Sequence, residues 1–255
     1  MAQPVGRVVA LGASNLTRGF HTIVATARHR WGRDVEVLGA LGHGRAYCMR
    51  SSFLVRSLPG IAQCGIWSHL ERMPRTRTRG IVTDIGNDIL YGASADQVLT
   101  SVDHCIARLL RLTDDVALTD LPLSSIRALS SARFLLFRSL LVPRCRSSLA
   151  QVIETAGLVS EGLHAMAAAR RVRLLPQKPE WYGVDPIHIR PALWHPAWQE
   201  ILCGGRDDAP EATASWSEAL GLYALRPERQ WLLGREQVTP QQGVTLGSGG
   251  RVWLF

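Results

Sequence analysis

The sequence predicts an α/β protein: a three-layer α/β/α sandwich around a five-stranded, doubly wound parallel sheet, with a small C-terminal β appendage. Three observations carry that reading. Short apolar runs recur along residues 1–205, each followed by a stretch with helical spacing. Gly, Asn or Asp stands where several runs end. From residue 206 onward the pattern changes to one short helix and strand-like pieces separated by Pro-Gln-Gln-Gly and Gly-Ser-Gly-Gly turns.

The first run, Val8 to Leu11, is apolar without alternation, as in a strand covered on both faces. Gly12 permits a sharp turn, and a helix is expected from about Leu16 through Trp31, with Ser14 or Asn15 as its cap. Val35 to Leu41 reads as the second strand and runs into Gly42-His43-Gly44-Arg45. Residues 51–71 read as mostly helical, interrupted at Pro59-Gly60, and Gly80 to Ile85 as a third strand delivering Gly86-Asn87-Asp88. Ala95 to Leu112 places Val98, Val102, Ile106 and Leu109 on one helical face. Val116 to Leu121 is the fourth strand, Leu149 to Ala169 a helix, Val172 to Leu175 the fifth strand, and Pro191 to Leu202 the closing helix. Gly204 to Pro210 reads as a polar linker. The expected division is therefore 1–205 for the main domain and 206–255 for the appendage.

Composition narrows the function. Hydrophobic residues make up 46% of the 255, enough for a full core, and no apolar run approaches membrane-spanning length. The first strand starts so near Met1 that no signal peptide is expected. Five cysteines without a CxxC pattern argue against a disulfide framework or zinc site, and a cytoplasmic location is expected. The net charge is +8, but Lys178 is the sole lysine among 29 basic residues. An arginine bias of this kind reflects genome composition as readily as a nucleic-acid surface, so no nucleic-acid partner is expected. No metal, no cofactor and no stable membrane insertion are expected either, and the chain is silent on oligomeric state.

The predicted strand ends bring Ser14, Gly42, Asn87, Asp185 and His188 toward one rim, where an open α/β sheet places its ligands. Each has an ordinary reading: a cap, a turn glycine, an Asn-Asp turn, a surface histidine. Jointly they supply what acyl transfer needs. A serine hydroxyl loses its proton to an imidazole, and a carboxylate orients that imidazole through its other nitrogen. The backbone N–H groups of Ser14 and Gly42 and the Asn87 amide would bind the oxyanion, with Gly44 as the rival to Gly42. The Gly-x-Ser-x-Gly elbow is absent, because Leu16 occupies its last position.

Gly12-Ala13-Ser14-Asn15-Leu16, Gly42, Gly86-Asn87-Asp88 and Asp185-Pro186-Ile187-His188 resemble the blocks of the GDSL-type or SGNH hydrolases, over residues 5 to about 203. Two departures stand out: Ala13 where that family usually has aspartate, and Ile85 where the first glycine of Gly-x-Asn-Asp falls. The resemblance implies an SGNH-type, flavodoxin-like sandwich and a serine esterase with Ser14, Asp185 and His188 as triad. An acyltransferase with the same triad and an inactive binding protein are the competing readings. Residues 126–146 interleave Phe134, Phe137 and leucines with arginines. They read either as a lid offering Phe134 and Phe137 to an acyl chain or as a helix packed on the sheet. Arg45 either holds an anionic substrate group or pairs with a carboxylate.

Overall fold

Val8, Val9, Ala10 and Leu11 are all fully buried, and their alternation feeds two separate cores. Val9 and Leu11 enter one, Val8 and Ala10 the other, as a strand covered on both faces requires. In the computed structural model, residues 6–142, 145–204, 215–247 and 249–255 are described, apart from the side chains of Phe137, Leu140 and Leu141.

The first half runs β1 (Arg7–Leu11), α1 (Ser14–Trp31), β2 (Glu36–Ala40), β3 (Ser51–Phe53), β4 (Arg56–Leu58), α2 (Ile66–Arg72), β5 (Thr78–Val82), α3 (Asn87–Leu90) and α4 (Ala95–Leu110). The second runs β6 (Val116–Thr119), α5 (Leu123–Arg127), α6 (Ser131–Leu141), α7 (Leu149–Arg170), β7 (Arg173–Leu175), α8 (Trp194–Cys203), α9 (Trp216–Ala224), β8 (Arg229–Leu232), β9 (Arg235–Val238), β10 (Val244–Thr245) and β11 (Arg251–Leu254). The main sheet has the order β10-β11-β2-β1-β5-β6-β7, parallel except for the β10–β11 pair. Helices α1, α8 and α9 cover one face, and α2, α4 and α7 the other. The chain thus steps from β1 outward to β2, then back across β1 to β5, which makes the β1/β5 boundary the switch point of the sheet. The register pairs Leu11 with both Ala40 and Val82, so three strands end at one level. Helix α1 approaches α8 closely because Gly19 lies against the Trp198 indole, where a Cβ would collide.

The α/β sandwich agrees with the expectation, with two strands more in the sheet. The segment read as an appendage sends β11 into the main sheet beside β2, where the Phe255 N–H donates to the Gly39 carbonyl at 2.9 Å. The expected helix over 51–71 is a β3–β4 hairpin followed by a short helix. That hairpin forms a second, antiparallel sheet with β8 and β9 in the order β3-β4-β8-β9. A partner nearly 180 residues away stabilises residues 51–58 as strands, and local spacing carries no trace of it. Most of the expected 204–210 linker lies outside the described residues.

Candidate active site

Helix α1 begins at Ser14, and neither Ser14 nor Asn15 caps it; the cap position is Ala13, which has no side chain to do so. Helices α4 and α7 solve the same problem with local capping boxes, Ser94–Gln97 and Ser148–Gln151. For α1 the acceptor comes from the next strand of the sheet. One Asp84 oxygen, Oδ2, accepts from the Ala13 and Leu16 N–H groups, both at 2.9 Å, and Oδ1 accepts from Asn15 Nδ2 at 2.9 Å. Asp84 sits just past the end of β5 in the left-handed region, φ 56°, a conformation that aspartate tolerates better than most residues. Capping from Asp84 leaves the Ser14 hydroxyl with no capping duty.

That hydroxyl meets His188. Ser14 Oγ lies 2.8 Å from His188 Nε2, and His188 Nδ1 lies 2.6 Å from Asp185 Oδ2. In the tautomer that satisfies both contacts, Ser14 donates to Nε2 and Nδ1–H donates to the carboxylate. His188 is 7% exposed. Asp185 also accepts from the Ile187 and His188 N–H groups through Oδ1, both at 3.2 Å, which curls the loop around its own carboxylate. Burial would raise the Asp185 carboxyl, but the hydrogen bond and charge of His188, the Ile187 N–H and the nearby Arg18 hold it below the usual carboxylate range. Asn15 fastens this loop to α1: its Nδ2 donates to the Ile187 carbonyl at 2.8 Å and its Oδ1 accepts from the Ile189 N–H at 2.8 Å.

The third group is Asn87 at the start of α3, after Gly86 at φ 133°, a conformation that L side chains rarely adopt. Asn87 Nδ2 donates one hydrogen to the Arg45 carbonyl at 3.2 Å, which leaves the second, and its side chain borders the same cavity as Ser14. Its neighbour Asp88 is fully buried and accepts from the Tyr47 and Cys48 N–H groups at 2.8–2.9 Å. Buried Tyr47 in turn shares its hydroxyl between the carbonyls of Leu11 and Thr83, clamping the ends of β1 and β5. Gly42 is buried at the end of β2 and borders a second cavity, whereas Gly44 faces Tyr91, whose hydroxyl holds its carbonyl at 2.8 Å.

Arg45 corrects its expectation. Its guanidinium is fully buried and donates to the carbonyls of Pro59 at 3.1 Å, Leu41 at 3.2 Å and Phe255. Sequence distance from Gly42 was a poor guide, because the side chain turns inward beneath the loop. Phe134 is buried and borders the Ser14 cavity together with Ile126, Leu121, Val152 and Leu90, in about 1040 Å³ of open space. The Phe137 side chain lies outside the described residues. Helices α5 and α6 thus wall this cavity, while Leu135 and Leu136 are 48% and 65% exposed. Among the described residues, no group of three or more His, Cys, Asp and Glu gathers as a metal-binding set.

Sequence reasoning missed Asp84 and the stitching role of Asn15. The available signal was one departure from the family pattern, Ala13, together with an aspartate near the third block. Ala13 removes a carboxylate beside Ser14, and an unusual aspartate stands two residues before Gly86.

No family model matches the chain, and no curated protein matches it. Solved structures are similar in architecture. One crystal structure superposes with a TM-score of 0.52 at 13% identity, over 78% of this chain and 96% of the other. TesA gives 0.48 at 17% identity, over 78% and 97%. The psychrotrophic esterase EstA from Pseudoalteromonas sp. gives 0.48 at 9% identity, over 78% and 96%. At these identities the likeness is one of fold alone.

Proposed function

We propose that the protein is a serine hydrolase cleaving carboxylic esters through an acyl-enzyme on Ser14. The observation that carries this reading is the line Asp185–His188–Ser14, closed by contacts of 2.6 and 2.8 Å. His188 Nε2 takes the Ser14 proton as Oγ attacks the ester carbonyl carbon. The resulting oxyanion is received by the Ser14 and Gly42 N–H groups and the second Asn87 hydrogen. Asp185, held ionised, orients His188 and stabilises its imidazolium. The tetrahedral intermediate collapses, the Nε2 proton passes to the departing alkoxide, and the acyl group stays on Ser14. Water then repeats the sequence, losing its proton to His188 and releasing the acid. The apolar cavity walled by α5, α6 and α7 takes the acyl chain.

Incubation with a fluorophosphonate followed by peptide mapping tests the assignment. A single adduct on Ser14, together with hydrolysis of short p-nitrophenyl esters, is expected. Adduct formation elsewhere, or ester hydrolysis that survives Ser14→Ala, sinks it.

A further inference from the structure

Two cavities lie on either side of β1 along the sheet rim: Ser14 borders one, and Thr17, Arg18 and Gly42 border the other. The apolar one lies toward β5 and β6 and is bordered by Asp84, Asn87 and Leu121. The other lies toward β2 and β11 and is bordered by Gly42 and Leu254. Among the described residues its polar lining is cationic or neutral, Thr17, Arg18, His21, His43, Arg56 and Tyr223, with no carboxylate. We propose that this second cavity receives an oxyanion, phosphate or carboxylate, carried on the alcohol portion of the ester whose acyl chain lies in the apolar cavity. This rests on the esterase reading and adds a substrate class to it.

The charge is placed without its partner. Arg7, Arg28 and Arg79 each pair with a carboxylate, from Glu36, Glu218 and Asp115. The Arg18 side chain lines this cavity and makes no hydrogen bond or ion pair among the described residues, and its charge reaches Asp185. Arg56 has a buried Nε with no acceptor. Burial first, and then the charge of the nearby Arg45 guanidinium, disfavours the charge of Arg56. Burying guanidinium hydrogens without acceptors costs free energy, and a bound oxyanion supplies the missing lone pairs. His43 registers the same field: burial, then the charges of Arg18, His188 and Arg56, lower it to about 4. Its ring lies 3.4 Å from the Tyr223 hydroxyl, adding neutral hydrogen-bonding groups at the rim.

The alcohol side follows from geometry. Acyl and alcohol portions leave the attacked carbonyl in different directions, and the apolar lining of the Ser14 cavity suits a hydrocarbon chain. An anion on the alcohol therefore points toward β2, over Gly42.

The wild-type protein is offered octanoyl esters of glycerol, glycerol 3-phosphate and glycerate, and an octyl hemisuccinate whose charge sits on the acyl side. The expected result is a kcat/KM at least about tenfold higher for one or both alcohol-side anions than for octanoylglycerol, shrinking as salt is added. Preference for glycerol 3-phosphate assigns phosphate, and preference for glycerate assigns carboxylate. Arg56→Gln, with Arg56→Lys as the variant that keeps the charge, should cut the anionic-to-neutral ratio about tenfold for Gln and much less for Lys. Equal turnover of all four esters, or preference for the hemisuccinate, overturns the proposal while leaving the esterase intact. If no ester is cleaved and Ser14 takes no fluorophosphonate, the esterase reading itself has failed. Calorimetric binding of glycerol 3-phosphate to Ser14→Ala then still reads the pocket, and no heat of binding overturns it.

Discussion

The two cavities along the sheet rim, of which Ser14 borders one, are built from different parts of the chain, and their chemistry follows from that. The apolar one is walled by α5, α6 and α7, the long connection between β6 and β7, and Leu121, Ile126, Phe134 and Val152 line it. The cationic one is assembled from the first turns of α1, the loop after β2, β4 and α9, which are far apart in sequence. Contiguous chain makes an apolar wall because one insertion can fold its apolar face over the site. The cationic pocket needs distant elements to converge, and the acid that α9 brings, Glu218, is taken up by Arg28. Under the proposed function, this contrast would orient an ester by polarity, with its carbonyl over Ser14.

The largest effect should strike both cavities equally. Ser14→Ala is expected to lower kcat by about 10⁶-fold for every ester, because the acid–base pair has nothing left to activate. Steady-state assays with neutral and anionic esters check it, and a drop confined to one class would break the symmetry of the site.

Asn87→Ala removes one oxyanion donor and should cost about 10²–10³-fold in kcat with little change in KM. An effect on KM alone would place Asn87 on the ground state instead.

Asp84→Asn should follow, at about 10²-fold in kcat, because an amide cannot accept from Ala13, Asn15 and Leu16 as a carboxylate does. Unsatisfied buried donors also cost about 1–3 kcal/mol of stability. A purely structural role would lower the melting temperature and leave kcat of the folded fraction intact, so both are measured. Restoring a local cap with Ala13→Asp in the Asp84→Asn background should recover part of the rate.

Phe134→Leu sharpens the comparison from one side only. It should reduce kcat/KM for octanoyl esters about threefold to tenfold relative to acetate, with the preference for anionic alcohols unchanged. Equal losses at all chain lengths would mean that Phe134 merely packs α6.

The smallest effect concerns pH. His43 titrates near 6.5 unfolded and at about 4 folded, so the unfolded chain binds more protons between those values. Stability therefore falls as pH drops through that window and levels off below it. His21 and His69 are lowered too, chiefly by burial, and add to the slope. Thermal melts at pH 7 and 4.5 should show a smaller loss for His43→Gln than for the native chain. Despite burial, the hydrogen bond and charge of His188 hold Asp185 below the usual carboxylate range, so loss of its charge should not set the acid limb of activity in mildly acidic solution.

Much of this was legible in the chain. Runs such as Val8 to Leu11 announce strands covered on both faces, because burial on two sides leaves no place for polar residues. The register that levels β1, β2 and β5 puts Ser14, Gly42 and Asn87 on one rim, and the chain order of strand ends already implied it. Asp185 and His188 share a tight loop, so their pairing is local and readable. What the sequence could not decide is whatever depends on contacts between distant segments. Residues 51–58 become strands only because β8 pairs with them, and the C-terminal strand enters the main sheet only because the edge of β2 is open to it. Arg45 points inward because three carbonyls from separate loops converge on it. Asp84 caps a helix some 70 residues earlier in the chain, and so frees Ser14 for His188. Helical and strand periods record which face of an element is buried. They do not record which distant group supplies a hydrogen-bond partner, and that is settled only when the sheet closes.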